Sequence, residues 1–147
     1  MAVQIDVGRL LTMSQKELDD LFARSPAGPT PSGEADGTVL FKPGGPLEEI
    51  AAKLAHLLFW QGKVFDSARG ELRNKVLPMG IRAVAAKVYR GPSWLDGNEC
   101  IVLDYSQTSL IAHHVRDEIR EVAPQLYLGV VFWDREKVLN FALNFAR

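Results

Sequence analysis

The stretch Val115–Trp133, VRDEIREVAPQLYLGVVFW, sets a block of charges directly before an apolar run, and the reading of that block decides the fold. Asp117, Glu118 and Glu121 stand among Arg116 and Arg120, so the block is nearly balanced. The run Leu126–Trp133 is rich in aliphatic and aromatic residues and short enough for one buried strand. For the block, two periods compete. On a helix, Leu110, His114, Asp117 and Glu121 share a face. On a strand, Arg116, Glu118 and Arg120 lie on one side and Asp117, Ile119 and Glu121 on the other. The β-branched Val115 and Ile119 among the charges favour a strand or short irregular segment. Because Ile119 is apolar, the Asp117 side is expected to face inward, with Asp117 a buried carboxylate paired with Arg116 or Arg120. Such a cluster can bind a ligand, transfer protons, or tie the strand to its surroundings.

Downstream, KVLNFALNF (Lys137–Phe145) has the same strand-like composition, and WDREK between the two runs reads as a hairpin turn. Upstream, KVF, ELRNKVL, IRAVAAKVYRG, SWL and ECIVLDY are short segments of strand type, with LDGNE as a further turn. GTVLFKP (Gly37–Pro43) alternates as a first strand. Before it, SPAGPTPSGEADG (Ser25–Gly37) holds three prolines and three glycines in 13 residues and reads as a surface linker.

Two helices are expected. Ser14 and Glu17 form a capping box ahead of Leu18, Leu21 and Phe22 on one face. Pro46, Glu48 and Glu49 open a second helix with Ile50, Leu54, Leu57 and Leu58 on its apolar side and Gly62 at its end. Helices followed by consecutive antiparallel strands define a mainly β, α+β domain with the sheet curling into a small barrel. At 147 residues it is one domain: 1–36 as N-terminal helix and proline-rich linker, 37–147 as barrel with one helix.

The 17 basic and 18 acidic residues leave a net charge of -1, so there is no global field to draw nucleic acid or an anionic membrane. The only cysteine, Cys100, excludes an internal disulfide and a multi-cysteine zinc site, and a cytoplasmic location is expected. The N-terminus has no signal-peptide pattern. YLGVVFW, among the longest apolar runs, is far below the roughly 18 residues of a spanning helix.

No phosphate loop, metal-binding helix pair or nucleophile elbow occurs, so neither cofactor nor metal is expected. His113 and His114 are adjacent and cannot easily face one metal. Cys100 sits in an apolar run as a small hydrophobe. The aromatics Trp60, Trp94, Tyr89, Tyr105 and Tyr127 lie in or beside expected strands, where they face either a packed core or a ligand cavity. An arginine of the charged block, Arg116 or Arg120, turned into such a cavity would suit a carboxylate or phosphate head group. With Asp117, these are the candidate ligand-binding residues.

Three blocks, FWQGKVFD (Phe59–Asp66), VYRGPSWLDGNECIVLDYSQTS (Val88–Ser109) and VRDEIREVAPQLYLGVVF (Val115–Phe132), resemble small bacterial lipocalin-like proteins of the GXWXG type, over about the last two thirds of the chain. In that group a tryptophan and a glycine–lysine pair, here Trp60 and Gly62–Lys63, precede the barrel, and Lys63 joins the candidates. The resemblance implies a lipocalin or calycin barrel that binds small hydrophobic molecules. The expected function is therefore binding of a small hydrophobic ligand, with or without an anionic end, in a barrel cavity. The alternatives are an enzyme using Asp104, Tyr105, Asp117 or a histidine for acid–base chemistry, and an interaction module with a filled core. A homodimer is left open.

Overall fold

The structure, a computed structural model, describes residues 5–41, 63–66, 70–74, 85–105 and 114–146. Two short helices come first. In α1 (Val7–Leu11) the Asp6 side chain accepts a hydrogen bond from the Arg9 N–H at 2.7 Å. In α2 (Gln15–Arg24) the expected capping box is present in both directions, and Leu18, Leu21 and Phe22 form its buried face. The first of these helices was not foreseen; the helix expected at 46–62 lies outside the described residues.

Among the described residues eight strands follow: β1 (Gly33–Phe41), β2 (Lys63–Asp66), β3 (Glu71–Asn74), β4 (Ala85–Pro92), β5 (Glu99–Asp104), β6 (Val115–Ala123), β7 (Leu126–Trp133) and β8 (Glu136–Asn144). Each pairs antiparallel with its neighbours in sequence. β1 also pairs β8, from Asp36↔Asn144 to Phe41↔Asn140, so the strand order closes into a ring.

The charged block is a strand, β6, and the two faces predicted for it by alternation are the two faces observed. Ile119 on the inner face packs with Ile101, Leu103, Tyr105, Val131, Leu139 and Phe141, all fully buried. The outer faces of β5, β7 and β8 contribute Cys100, Val102, Leu128, Val130, Phe132 and Ala142 to a second core, closed from outside by Leu10, Leu18, Leu21 and Phe22 of the helices. A sheet covered on both sides loses its polar alternation. That is why β7 reads as an unbroken apolar run and why charges on β6 are buried on either face. Gly129 of β7 makes room for an inner ring: a Cβ there would lie 2.1 Å from Phe141 Cζ.

Two expectations are corrected. The linker over 25–36 is not loose surface chain. β1 begins at Gly33, four residues before the expected strand, because Gly33 takes the positive φ of 94° that opens it and Ala35 is fully buried. Ala27 is buried too, and the Tyr127 hydroxyl donates to the Pro29 carbonyl at 2.5 Å. SWL is not a strand either: Trp94–Asp96 form the β4–β5 turn, with Gly97 at φ 77° and the Ser93 and Asn98 backbones bonded across it. WDREK is the expected hairpin turn, with Asp134 and Arg135 at φ 47° and 75°.

Candidate functional site

The outer face of the ring carries a cleft of about 450 Å³ lined by Tyr89, Trp94, Asp104, His114, Val115, Arg116, Asp134 and Arg135. Alternation along β4, β5 and β6 sends Tyr89, Asp104 and Arg116 outward beside one another, Asp104 standing opposite Arg116 in the sheet. The β4–β5 turn supplies Trp94, and the β7–β8 turn supplies Asp134 and Arg135.

One buried carboxylate frames this arrangement. Glu118, fully buried on the outer side of β6, accepts from the Ser93 hydroxyl at 2.5 Å and the Trp94 backbone N–H at 2.7 Å. It also accepts from Arg116 Nε at 3.1 Å, with Arg116 Nη2 3.0 Å from the same oxygen. Arg116 Nη2 donates to the Pro92 carbonyl at 2.7 Å as well. Thus Glu118 holds both Trp94 and Arg116. The Arg116 Cζ lies 4.3 Å from the Trp94 ring centroid and the Arg135 Cζ 4.6 Å, while Phe132 packs edge-on against the same indole at 5.4 Å.

Elsewhere in the cleft, the Tyr89 hydroxyl donates to Asp104 Oδ2 at 2.8 Å, and burial followed by this hydrogen bond holds the phenol above its ordinary pKa. His114 Nδ1 lies 2.8 Å from Asp134 Oδ1, and the imidazole packs on Trp133 with centroids 4.8 Å apart.

Arg120, on the same face as Arg116, has a different task. Its side chain is 1% exposed and every N–H of its guanidinium is used. Two bonds of 2.7 Å run to the Asp96 carboxylate; the others reach the carbonyls of Phe22 at 2.8 Å, Asn98 at 3.1 Å and Glu99 at 3.1 Å. The group also stacks on the Phe22 ring at 4.4 Å. Arg120 therefore clamps the end of α2 and the β4–β5 turn to β6 and leaves no donor for a ligand. The hydrogen bonds from Arg120 hold the Asp96 carboxyl below the usual carboxylate range.

Of the candidates named from sequence, Tyr89, Trp94 and Arg116 meet in the cleft. Tyr105 and Asp117 are fully buried on the inner face, and Tyr127 is buried with its hydroxyl tied to Pro29. Asp117 and the arginines face opposite sides of the sheet, so the ion pairs fall instead to Arg116–Glu118 and Arg120–Asp96. Neither arginine points into the interior. Lys63 lies on β2 opposite Ala35 and Asn74; Trp60 lies outside the described residues. Arg135 and Asp134 were missed, although two charges at the tip of an expected hairpin were visible. The pairing of Glu118 with Arg116 was open to the sequence as two charges on one strand face, but its hold on Ser93 and Trp94 was not, because they are 25 and 24 residues away. Burial pushes the Cys100 thiol up to about 12, which suits a core residue rather than a nucleophile. Among the described residues, no three His, Cys, Asp or Glu side chains are grouped to hold a metal, and no helix is long and apolar enough to cross a membrane.

No protein-family model and no curated protein matches the chain. Its fold is similar to the crystal structure of a protein from Thermomonospora curvata, with a TM-score of 0.60 and 17% identity over 92% of this chain and 89% of that one. The mainly β architecture is therefore shared with a solved structure, and the cleft must be read from its own chemistry.

Proposed function

We propose that this chain is a cytoplasmic small-molecule-binding protein on a lipocalin-type barrel, with the ligand in the outer cleft rather than in the interior. The closed strand order supports the barrel reading, and the single, buried Cys100 suits a reducing compartment. The observation that carries the binding reading is a pair of large aromatics, Tyr89 at 43% and Trp94 at 37% exposure, held open at one cleft by a buried polar frame. Fixing two exposed aromatics with Glu118 and Asp104 prepares a surface before a ligand arrives, which lowers the ordering cost of binding. The volume falls in the range of roughly 300–1,000 Å³ usual for small-molecule sites.

The test is a titration of intrinsic fluorescence with a panel of aryl compounds, charged and neutral. A saturable change is expected that disappears in Trp94→Phe and weakens in Tyr89→Ala. If both variants respond as the parent does, the cleft is not the site.

One observation favours a second reading, acid–base catalysis in the same cleft. His114 sits 2.8 Å from Asp134 in the geometry of a base and its orienting carboxylate, within the same lining as the Tyr89–Asp104 pair. Turnover of a chromogenic ester panel that is lost in His114→Gln, with ligand binding retained, would establish it; no turnover by the parent chain would end it.

A further inference from the structure

We propose that the ligand is a planar aromatic monocarboxylate, its carboxylate held between Arg135 and Arg116 and its ring laid on Tyr89; this rests on the cleft being the binding site. Trp94 has two guanidinium groups over its ring and Phe132 at its edge, so its indole serves as a platform for the arginines. Tyr89 is the more exposed aromatic, and its hydroxyl is fixed by Asp104, which leaves the ring as a rigid flat surface for stacking.

The donors are equally specific. Arg116 uses Nε and Nη2 on Glu118 and Pro92, and its Nη1 has no acceptor among the described residues. Arg135 has its contact with Trp94 but no hydrogen-bonded acceptor or acidic partner among them. The fork of Arg135 and the remaining Nη1 of Arg116, both carried on one indole, offer donors for the two oxygens of a carboxylate. Glu118 already neutralises Arg116, which leaves Arg135 as the cleft cation with no acidic partner among the described residues, and with Asp104 and Asp134 in the same lining a dianion meets more repulsion than a monoanion. That balance selects a carboxylate over a phosphate dianion. Arg135, at φ 75° in the two-residue β7–β8 turn, has its side chain over Trp94.

The experiment is an NMR titration of the three tryptophan indole N–H signals, with the Trp94 signal identified by its loss in Trp94→Phe. The probes are naphthalene-2-carboxylate, naphthalene-2-carboxamide and inorganic phosphate. The carboxylate is expected to shift the Trp94 signal saturably, the neutral amide to bind about tenfold or more weakly, and Arg135→Gln to bring the carboxylate down to the level of the amide. Phosphate at equal concentration should not displace the carboxylate. Equal affinity for carboxylate and amide, or an unaffected Arg135→Gln, would overturn the ligand class while leaving the cleft as a binding site. Displacement by phosphate as effective as by the carboxylate itself would overturn the requirement for a planar body. If none of the probes moves the Trp94 signal in the parent chain, the proposal and the choice of this cleft fall together.

Discussion

Replacing Arg120 with Gln should destabilise this protein more than any surface charge change. The guanidinium makes five hydrogen bonds, two to Asp96 and three to carbonyls, and is 1% exposed. Not every acceptor is stranded when it goes. The Phe22 carbonyl keeps the Ser25 N–H at 3.2 Å, and the Asn98 carbonyl keeps the Ser93 N–H at 2.8 Å. The Glu99 carbonyl loses its bond from Arg120 Nε, and the Asp96 side chain is 18% exposed, so it regains water only in part. Breaking a buried pair by removing one member costs about 3–5 kcal/mol. The exposed Lys16–Asp20 pair on α2, at 3.2 Å, is the comparison, and Asp20→Asn should cost about 0.5 kcal/mol or less. Urea unfolding followed by far-UV circular dichroism reads both. Arg120→Met combined with Asp96→Asn should cost less than the two single changes added, because each removes a partner of the other. An Arg120→Gln loss no larger than that of Asp20→Asn would refute the clamp and the account of why β6 carries charge.

Further outcomes follow from the same geometry. Because the Asp96 pKa is lowered on folding, its contribution is fully present above the unfolded carboxyl value of about 3.9 and fades as pH falls through the lower folded value. Asp96→Asn should therefore flatten the acid limb of the stability profile; an unchanged limb in urea melts taken from pH 5 downward would contradict this. Gly129→Ala places a Cβ against the Phe141 ring and should cost about 1–3 kcal/mol or more by overpacking, read as a lower urea midpoint, whereas the combined Gly129→Ala/Phe141→Leu change should recover part of the loss. Cys100, fully buried with its thiol pushed up to about 12, should resist a disulfide reagent at pH 8 and react promptly only in denaturant.

Much of the architecture was open to local reading, because the signals were themselves local. Ser14 and Glu17 announced α2 by a bond pattern that needs only four residues, and WDREK announced its turn. The alternation about Ile119 placed Asp117 on the face opposite the two arginines, and for that reason the pair expected between Asp117 and Arg116 or Arg120 does not form. The site was legible only as types: Tyr89, Trp94 and Arg116 were named, but for an interior cavity. Tertiary structure decided the rest, for a physical reason. Alternation tells which residues share a face of a strand but not what covers that face. Here the outer face of β6 is covered by α2 and the β4–β5 turn, elements 22 to 98 residues away from Arg120 in sequence. Covering converts an apparently solvated row of charges into the clamp of Arg120 and the frame of Glu118, and it leaves Arg116 at the cleft edge. The same covering made Gly33–Asp36 a strand, since pairing with β2 and β8 outweighs a composition that by itself spells a loop.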